Sequence, residues 1–319
     1  MPYIASGTYG CVFKPKVKCT DPHKYGATAK YVRSVGKVFA NEDEAYLEIE
    51  NQLIVMKKID PKSEFTAKFM EKCLVSRFQR KDELEKCPYA LKQHPVQLVY
   101  EYGGISYDYM LKNNQPSIPK LKKLLKGLTE IFEGVAAMHK KGYVHQDIKP
   151  PNILFSNRHK HAILIDFGIM TRVEDVYAVK NNHVLTHHYP YFPPEFKLEM
   201  SKEWLEYKRL INMNFSTGAL KEIKTVMKLS GVNFAEDLRA TFTHGYRDPA
   251  KIDSYSLGVV LAMIINWAQP SLPRDHVIVS KVQSLIERMC HQDSKKRWTV
   301  YEASKAYKEF IKEFTRQRR

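Results

Sequence analysis

Within His145-Gln146-Asp147-Ile148-Lys149-Pro150-Pro151-Asn152 stand an aspartate, a lysine and an asparagine at spacings i, i+2 and i+5. Fourteen residues beyond Asn152 comes Asp166-Phe167-Gly168. These are the residue types needed to move a phosphoryl group from a nucleotide to a hydroxyl. Asp147 can accept a hydroxyl proton, Lys149 can neutralise a phosphate, and Asn152 and Asp166 can hold metal ions. Either segment alone carries modest weight, because a polar surface loop has a similar composition. Together, in this order, they point to one chemistry.

The elements that must position these residues can be read from periodicity. Ile4–Cys19 reads as two strands joined by a glycine-containing turn, Thr20–Ala29 as a loop and Tyr31–Phe39 as a strand. Glu42–Ile59 reads as a helix, with Leu47, Leu53, Ile54 and Met56 near helical spacing. Pro95–Tyr102 is an apolar strand that ends at Gly103-Gly104, the natural boundary between two parts. Lys120–Lys141 is the clearest helix: Leu121, Leu124, Leu125, Leu128, Ile131, Phe132, Val135 and Met138 form a wide apolar stripe. It stops at Gly142 and delivers the chain into the Asp147 loop. Ala162–Asp166 is a short buried strand, and the remainder is mainly helical. Strands first and helices later give an α+β fold of two lobes, a small β-rich one and a larger helical one, with the active site expected between them.

These motifs resemble those of the eukaryotic-type protein kinase family, serine/threonine type, and the resemblance covers nearly the whole chain. The family's H-R-D-x-K-x-x-N is present with Gln146 in place of the usual Arg. The resemblance implies a single catalytic domain over residues 1–319, with an N-lobe at 1–102 and a C-lobe at 103–319. It implies ATP and Mg²⁺, or Mn²⁺, as cofactors. The abrupt start and the Gly-Cys-Val-Phe-Lys-Pro wording also resemble kinases encoded by large DNA viruses.

Carried onto this sequence, the glycine-rich loop falls on Ala5-Ser6-Gly7-Thr8-Tyr9-Gly10-Cys11-Val12, with Ala5 where the family has its first glycine. Glycine lets backbone N–H groups come close to phosphates, and Val12 should cover the adenine. Lys37, among apolar neighbours on a strand, needs a partner to be buried. Glu48 and Glu50 are both candidates, and Glu50 fits the family's E-x-x-I-L wording better. Backbone groups near Glu101 and Tyr102 should meet the adenine edge, with Tyr100 at the back of the pocket. Asp147 is implied as the catalytic base, Lys149 as the γ-phosphate contact, and Asn152 and Asp166 as metal ligands. His145 reads as a packing residue.

Downstream, Pro193-Pro194-Glu195 resembles the family's A-P-E, and Asp253 the aspartate that braces the catalytic loop. Arg297 resembles the arginine that pairs with Glu195. His188 stands where a threonine is usual. Fifty-seven residues separate Glu195 from Asp253, so an insertion occupies about 196–252, with helix-like stretches at Glu203–Ile211 and Leu220–Leu229. It reads equally as a docking surface or as helices that merely pack on the lobe. The usual Arg at position 146 would pair with a phosphate on the activation segment, and Gln cannot neutralise one. Activity is therefore expected not to need phosphorylation at Thr171, Tyr177 or Thr186.

Bulk composition narrows the alternatives. With 319 residues, 44% hydrophobic and 27% charged, the chain has the makeup of a globular protein with a sizeable core. No apolar run approaches the ~20 residues that cross a bilayer, and the N-terminus lacks a signal-peptide pattern, so an intracellular monomer away from membranes is expected, in host cytoplasm or virion if the chain is viral. Five cysteines, far apart, read as free thiols in a reducing compartment. Cys19, His23, Cys73 and Cys87 lack the tight pair a zinc site would show. The net charge of +16 favours acidic partners, either protein substrates or nucleic acid. No nucleic-acid motif accompanies it, so a solvated lysine-rich surface is the plainer reading. Three other readings compete: a pseudokinase scaffold, a small-molecule phosphotransferase, and a nucleic-acid or virion-packing protein with secondary kinase activity.

Overall fold

The computed structural model of the chain describes residues 3–7, 10–20, 33–76, 84–90, 94–156, 159–176, 191–193, 248–272, 277–291 and 293–316. The chain divides into two compact units. One is Met1–Gly104 with Ile165–Ile169, and the other is Ile105–Leu164 with Met170–Arg319. The Asp166-Phe167-Gly168 segment thus packs with the first unit, although it lies well past Gly104 in the chain.

The first unit is built on a five-stranded antiparallel sheet in the order β1-β2-β3-β5-β4. Its strands are β1 (Tyr3–Gly7), β2 (Gly10–Phe13), β3 (Ser34–Phe39), β4 (Phe69–Leu74) and β5 (Val96–Glu101). Helix α1 (Glu42–Ile54) follows β3 and runs on into a π-helical turn, Val55–Ile59. β2 and β3 pair with Val12 opposite Lys37, and β3 and β5 pair with Lys37 opposite Leu98. Phe39, Ala45, Val96 and Leu98 form the core under α1, and Cys11, Phe13, Val17, Val38 and Val75 form a second cluster. Gly10 is tied to this packing: a Cβ there would come within 2.7 Å of the Val38 carbonyl oxygen, so a side chain would push β2 off β3.

β4 has no counterpart in the sequence reading. Its pattern is masked because Glu71 is buried while Leu74 is exposed; Glu71 pairs with Lys16 at 2.9 Å, which makes its burial tolerable.

The cysteines depart from the expectation of free thiols. Cys11 bridges to Cys87 and Cys19 to Cys73, with Cα–Cα separations of 5.9 and 5.8 Å, and Cys290 remains a buried free thiol. These separations suit disulfide geometry. Folding brings together residues 76 and 54 positions apart, which sequence spacing cannot show. Cys19, Cys73 and Glu71 lie close enough to share a metal ion, but both sulfurs are spent in their bridge. His23 lies outside the described residues.

The second unit is helical with short strand pairs. β6 (Ile105–Ser106), β8 (Ile153–Phe155) and β9 (Ala162–Leu164) form one small antiparallel sheet, and β7 (Tyr143–Val144) pairs with β10 (Thr171–Arg172). Helix α2 (Tyr107–Asn113) is capped by the Ser106 hydroxyl, which accepts the Tyr109 N–H. The long helix expected over Lys120–Lys141 is two: α3 (Ile118–Gly127) and α4 (Thr129–Lys140), separated at Leu128. The apolar stripe continues through the break, so periodicity alone did not reveal it.

Helix α5 (Ile252–Ala268) is buried almost all round and forms the centre of the unit, followed by α6 (Val277–Met289) and α7 (Val300–Arg316). Thr299 and Glu302 cap α7 reciprocally: the Thr299 N–H donates to Glu302 Oε2 at 2.8 Å and the Glu302 N–H to the Thr299 hydroxyl at 3.3 Å. Phe132 of α4 stacks on Tyr307 of α7 with centroids 4.0 Å apart. The Tyr307 hydroxyl donates to the Leu125 carbonyl at 2.6 Å.

Candidate active site

In the first unit, Lys37 holds two carboxylates. Its Nζ lies 2.5 Å from Glu48 Oε2 and 3.0 Å from Asp166 Oδ1. Burial alone would lower the ammonium's pKa; the charges of Glu48 and Asp166 outweigh it and raise the pKa, so Lys37 stays protonated. Burial pushes the Glu48 carboxyl up, and the Lys37 charge does not fully cancel that. The Tyr100 hydroxyl donates to Glu48 Oε1 at 3.0 Å. Burial, then the Glu48 charge, pushes that phenol well above its ordinary value, so it remains a donor.

The partner of Lys37 is Glu48 and not Glu50, which the family wording favoured. Ala45, Glu48, Gln52 and Val55 are all buried, at the i, i+3, i+7 and i+10 positions of one helix face. Glu50 stands about 200° around the helix from Glu48. It is exposed, and accepts a hydrogen bond from the Tyr46 hydroxyl at 2.7 Å. The apolar residues that suggested the helix mislead on its face: Leu47 and Leu53 are 63% and 38% exposed. The informative signal was the small and polar set Ala45, Glu48 and Gln52.

Asp166 adopts a left-handed backbone, φ 67°. Such a conformation is costly for a non-glycine residue and is common at functional positions. Asn51 of α1 steadies the segment by donating from Nδ2 to the Phe167 carbonyl at 2.7 Å, and Phe167 is buried. The Asp166 side chain is 36% exposed. Two carboxylates around one ammonium leave a negative balance at this partly exposed side chain, which fits a hard divalent cation.

The other residues expected to lie near the phosphates fall on the first hairpin and on β5. Ala5, Ser6 and Gly7 lie on β1, and Gly10 and Val12 on β2, with Gly7 opposite Gly10 at the hairpin end. Thr8 and Tyr9 lie outside the described residues. At the expected hinge, the N–H of Glu101 donates to the Lys68 carbonyl at 2.9 Å and that of Tyr102 to the Arg33 carbonyl at 2.7 Å. Both donors are therefore engaged within the first unit, and an adenine edge would have to use carbonyl oxygens here or the Gly103 N–H.

In the second unit, the Asp147 loop is tied together internally. Lys149 Nζ lies 2.9 Å from Asp147 Oδ1. Asn152 donates from Nδ2 to the Asp147 carbonyl at 2.9 Å and to Asp147 Oδ2 at 2.7 Å. That leaves its amide oxygen as the atom suited to a metal. Beneath the loop, Asp253 of α5 accepts the N–H of His145 at 2.7 Å and of Gln146 at 2.9 Å, while its Oδ2 lies 2.8 Å from His139 Nε2. Burial would push the Asp253 carboxyl up; the His139 hydrogen bond and the neighbouring histidine charges prevail and hold it below its ordinary value. His145 is fully buried and its Nδ1 accepts the Asp147 N–H at 3.1 Å, so its place is in the scaffold of the loop. Gln146 is buried with φ 68°, a strain the sequence did not reveal.

Arg297 is buried, with Nε donating to the His291 carbonyl at 2.9 Å. Its expected partner Glu195 lies outside the described residues, as do Pro194, His188, Tyr177, Thr186 and the insertion up to residue 247. Among the described residues, no helix is long and apolar enough to cross a membrane.

Comparison with known proteins agrees with this arrangement. The family model described as "Protein kinase domain" matches residues 32–211, and the chain belongs to that family. It is 27% identical over 128 residues to the probable serine/threonine-protein kinase fnkB of Dictyostelium discoideum, covering 39% of this chain and 24% of that protein. It is 30% identical over 158 residues to death-associated protein kinase 2 of Mus musculus, covering 41% of this chain and 42% of that protein. The matched region thus spans less than half the length of either relative.

Proposed function

We propose that the chain is a kinase that transfers the γ-phosphate of ATP to serine or threonine hydroxyls of proteins. The observation that carries this reading is Lys37 held by both Glu48 and Asp166, in a chain whose second unit has Lys149 and Asn152 gathered around Asp147. A divalent metal with ATP, when bound, supplies the transferable phosphoryl group and neutralises its charge. Lys37 would meet phosphate oxygens with a permanent positive charge, and Glu48 keeps that ammonium from swinging away. Asp166 in the first unit and Asn152 in the second would each offer a hard oxygen to a divalent metal. Asp147 takes the proton of the accepting hydroxyl, and Lys149 and Asn152 hold its carboxylate in one orientation. The pair Asp147–Lys149 supports serine or threonine acceptors by family analogy, and the net charge of +16 supports acidic protein substrates.

The test is transfer of labelled phosphate from ATP to mixed acidic and basic proteins, beside Asp147→Asn and Lys37→Met, followed by phosphoamino-acid analysis. Labelling by both variants at the parent's rate would sink the assignment. Exclusive phosphotyrosine would sink the serine/threonine part.

The proposal extends to regulation: activity needs no phosphate on the activation segment, because Gln146 offers no charge to meet one. Thr171, on β10, is half-buried. Replacing Thr171, Tyr177 and Thr186 with residues that cannot be phosphorylated should leave turnover near the parent's, and a large loss would refute this part.

A further inference from the structure

Helix α3 carries Lys120, Lys122, Lys123 and Lys126 and no acidic residue. None of the four makes an ion pair among the described residues. Alongside the helix lies an open cavity of about 210 Å³, lined by Met110, Leu124, Phe155 and Trp267 together with Lys120 and Lys123. The Lys123 ammonium sits 4.3 Å from the centre of the Phe155 ring, and Lys120 donates to the Gln115 carbonyl at 2.9 Å. Both ammonium groups are thus steadied beside the cavity. One wall is braced: Trp267 Nε1 donates to the Asn114 carbonyl at 3.0 Å and the Ser271 hydroxyl to the Pro116 carbonyl at 2.9 Å. Ile105, which also lines the cavity, is 39% exposed. Nearby in the chain, Tyr109 and Ile118 are 56% and 37% exposed. Ile105 thus leaves apolar surface in water beside the cavity.

We infer that this surface docks an acidic segment of the protein substrate that carries one large apolar anchor residue. The inference rests on the protein-kinase reading above and adds a recruitment site to it. The size of the cavity decides for an anchored peptide: small-molecule sites run to roughly 300–1,000 Å³, and this one is smaller, suited to a single aliphatic or aromatic side chain. The charge decides the flanks, since lysines lining the cavity, without an ion pair among the described residues, attract carboxylates and reject basic segments. A buried apolar anchor within a polar rim is the usual energetic layout of such contacts.

The test uses the full chain and a short fluorescein-labelled peptide of glutamates around one leucine, without serine, threonine or tyrosine, read by anisotropy. Lys120→Glu combined with Lys123→Glu changes exposed side chains outside the catalytic loop and should weaken binding on the order of tenfold. The same variant should phosphorylate a short non-acidic peptide at the parent's rate. Replacing the peptide's leucine with alanine should weaken binding to a similar degree. Equal binding by the charge-reversed protein, or by the alanine peptide, would overturn the proposal. So would displacement of the peptide by single-stranded RNA at lower concentration than by unlabelled peptide, which would assign the surface to nucleic acid. Because the binding assay needs neither ATP nor turnover, docking without transfer refutes the kinase reading alone, and transfer without docking refutes this inference alone.

Discussion

The Tyr100 hydroxyl donates a 3.0 Å hydrogen bond to Glu48 Oε1, while the other carboxylate oxygen of Glu48 meets Lys37. The glutamate that orients the lysine is therefore fixed from β5 as well as from β3. Tyr100 also packs edge-on against Phe69 of β4, with ring centroids 5.6 Å apart. A chain of contacts runs from the sheet through Tyr100 and Glu48 to Lys37 and Asp166.

Tyr100→Phe keeps the ring packing and deletes only the donor. A hydrogen bond to a charged group contributes roughly 1.5–3 kcal/mol, so kcat/KM for ATP should fall on the order of 10- to 100-fold. Steady-state kinetics at fixed protein substrate would measure it. Parent-like kinetics would mean that Lys37 alone suffices to hold Glu48.

Glu48 and Glu50 should separate cleanly. The Glu48 carboxyl is raised by burial, and a carboxyl with a raised folded pKa costs stability when it ionises at neutral pH. Glu48→Gln removes that cost while loosening Lys37. The unfolding midpoint should move little and turnover should drop by about 100-fold, the scale of a misplaced catalytic group. Glu50→Gln disturbs only an exposed contact with Tyr46 and should stay within about 0.5 kcal/mol of the parent in stability, with unchanged turnover. A loss of activity from Glu50→Gln would restore the family-pattern assignment.

The difference between these two glutamates shows what the sequence could and could not reveal. Asp147, Lys149 and Asn152 lie within six consecutive residues, so local spacing alone brings them together, and the strand-then-helix order was legible from periodicity. The partner of Lys37 depends on which face of α1 turns inward, and exposed Leu47 and Leu53 pointed to the wrong one. β4 was hidden by buried Glu71, whose cost is offset by Lys16 from another part of the chain. The left-handed φ of Gln146 and Asp166 was not legible: glutamine rarely adopts it, and aspartate tolerates it without requiring it.

Asp253 should govern the acid stability of the second unit. Its folded pKa lies below the ordinary value of 3.8, so the stability it contributes is fully present above the unfolded pKa and is lost as pH falls through the lower folded value. Asp253→Asn leaves one oxygen to serve two backbone N–H groups and the His139 ring. Each buried donor left unsatisfied costs about 1–3 kcal/mol. Urea unfolding across pH 3 to 7 should show the variant less stable near neutrality and flatter below about pH 4. A constant gap between variant and parent down to the lowest pH would refute the titration argument.

The two disulfides should respond differently to reduction. Cys11 and Cys87 are both 0% exposed, whereas Cys19 and Cys73 are half-buried. Lys16 Nζ also lies 3.0 Å from Cys19 Sγ, and a neighbouring ammonium stabilises a departing thiolate. An attacking dithiol should therefore take Cys73 Sγ and expel Cys19. Brief treatment of the native protein with dithiothreitol, then iodoacetamide and peptide mass spectrometry, should label Cys19 and Cys73 first, with Cys11 and Cys87 labelled only after denaturant. Closing loops of 54 and 76 residues, each bridge should contribute about 4 kcal/mol in the chain-entropy account. Replacing either pair by serine should then lower the urea midpoint by a comparable amount. Labelling of all four cysteines in denaturant without reductant would show them to be thiols, the state expected from their number and spacing.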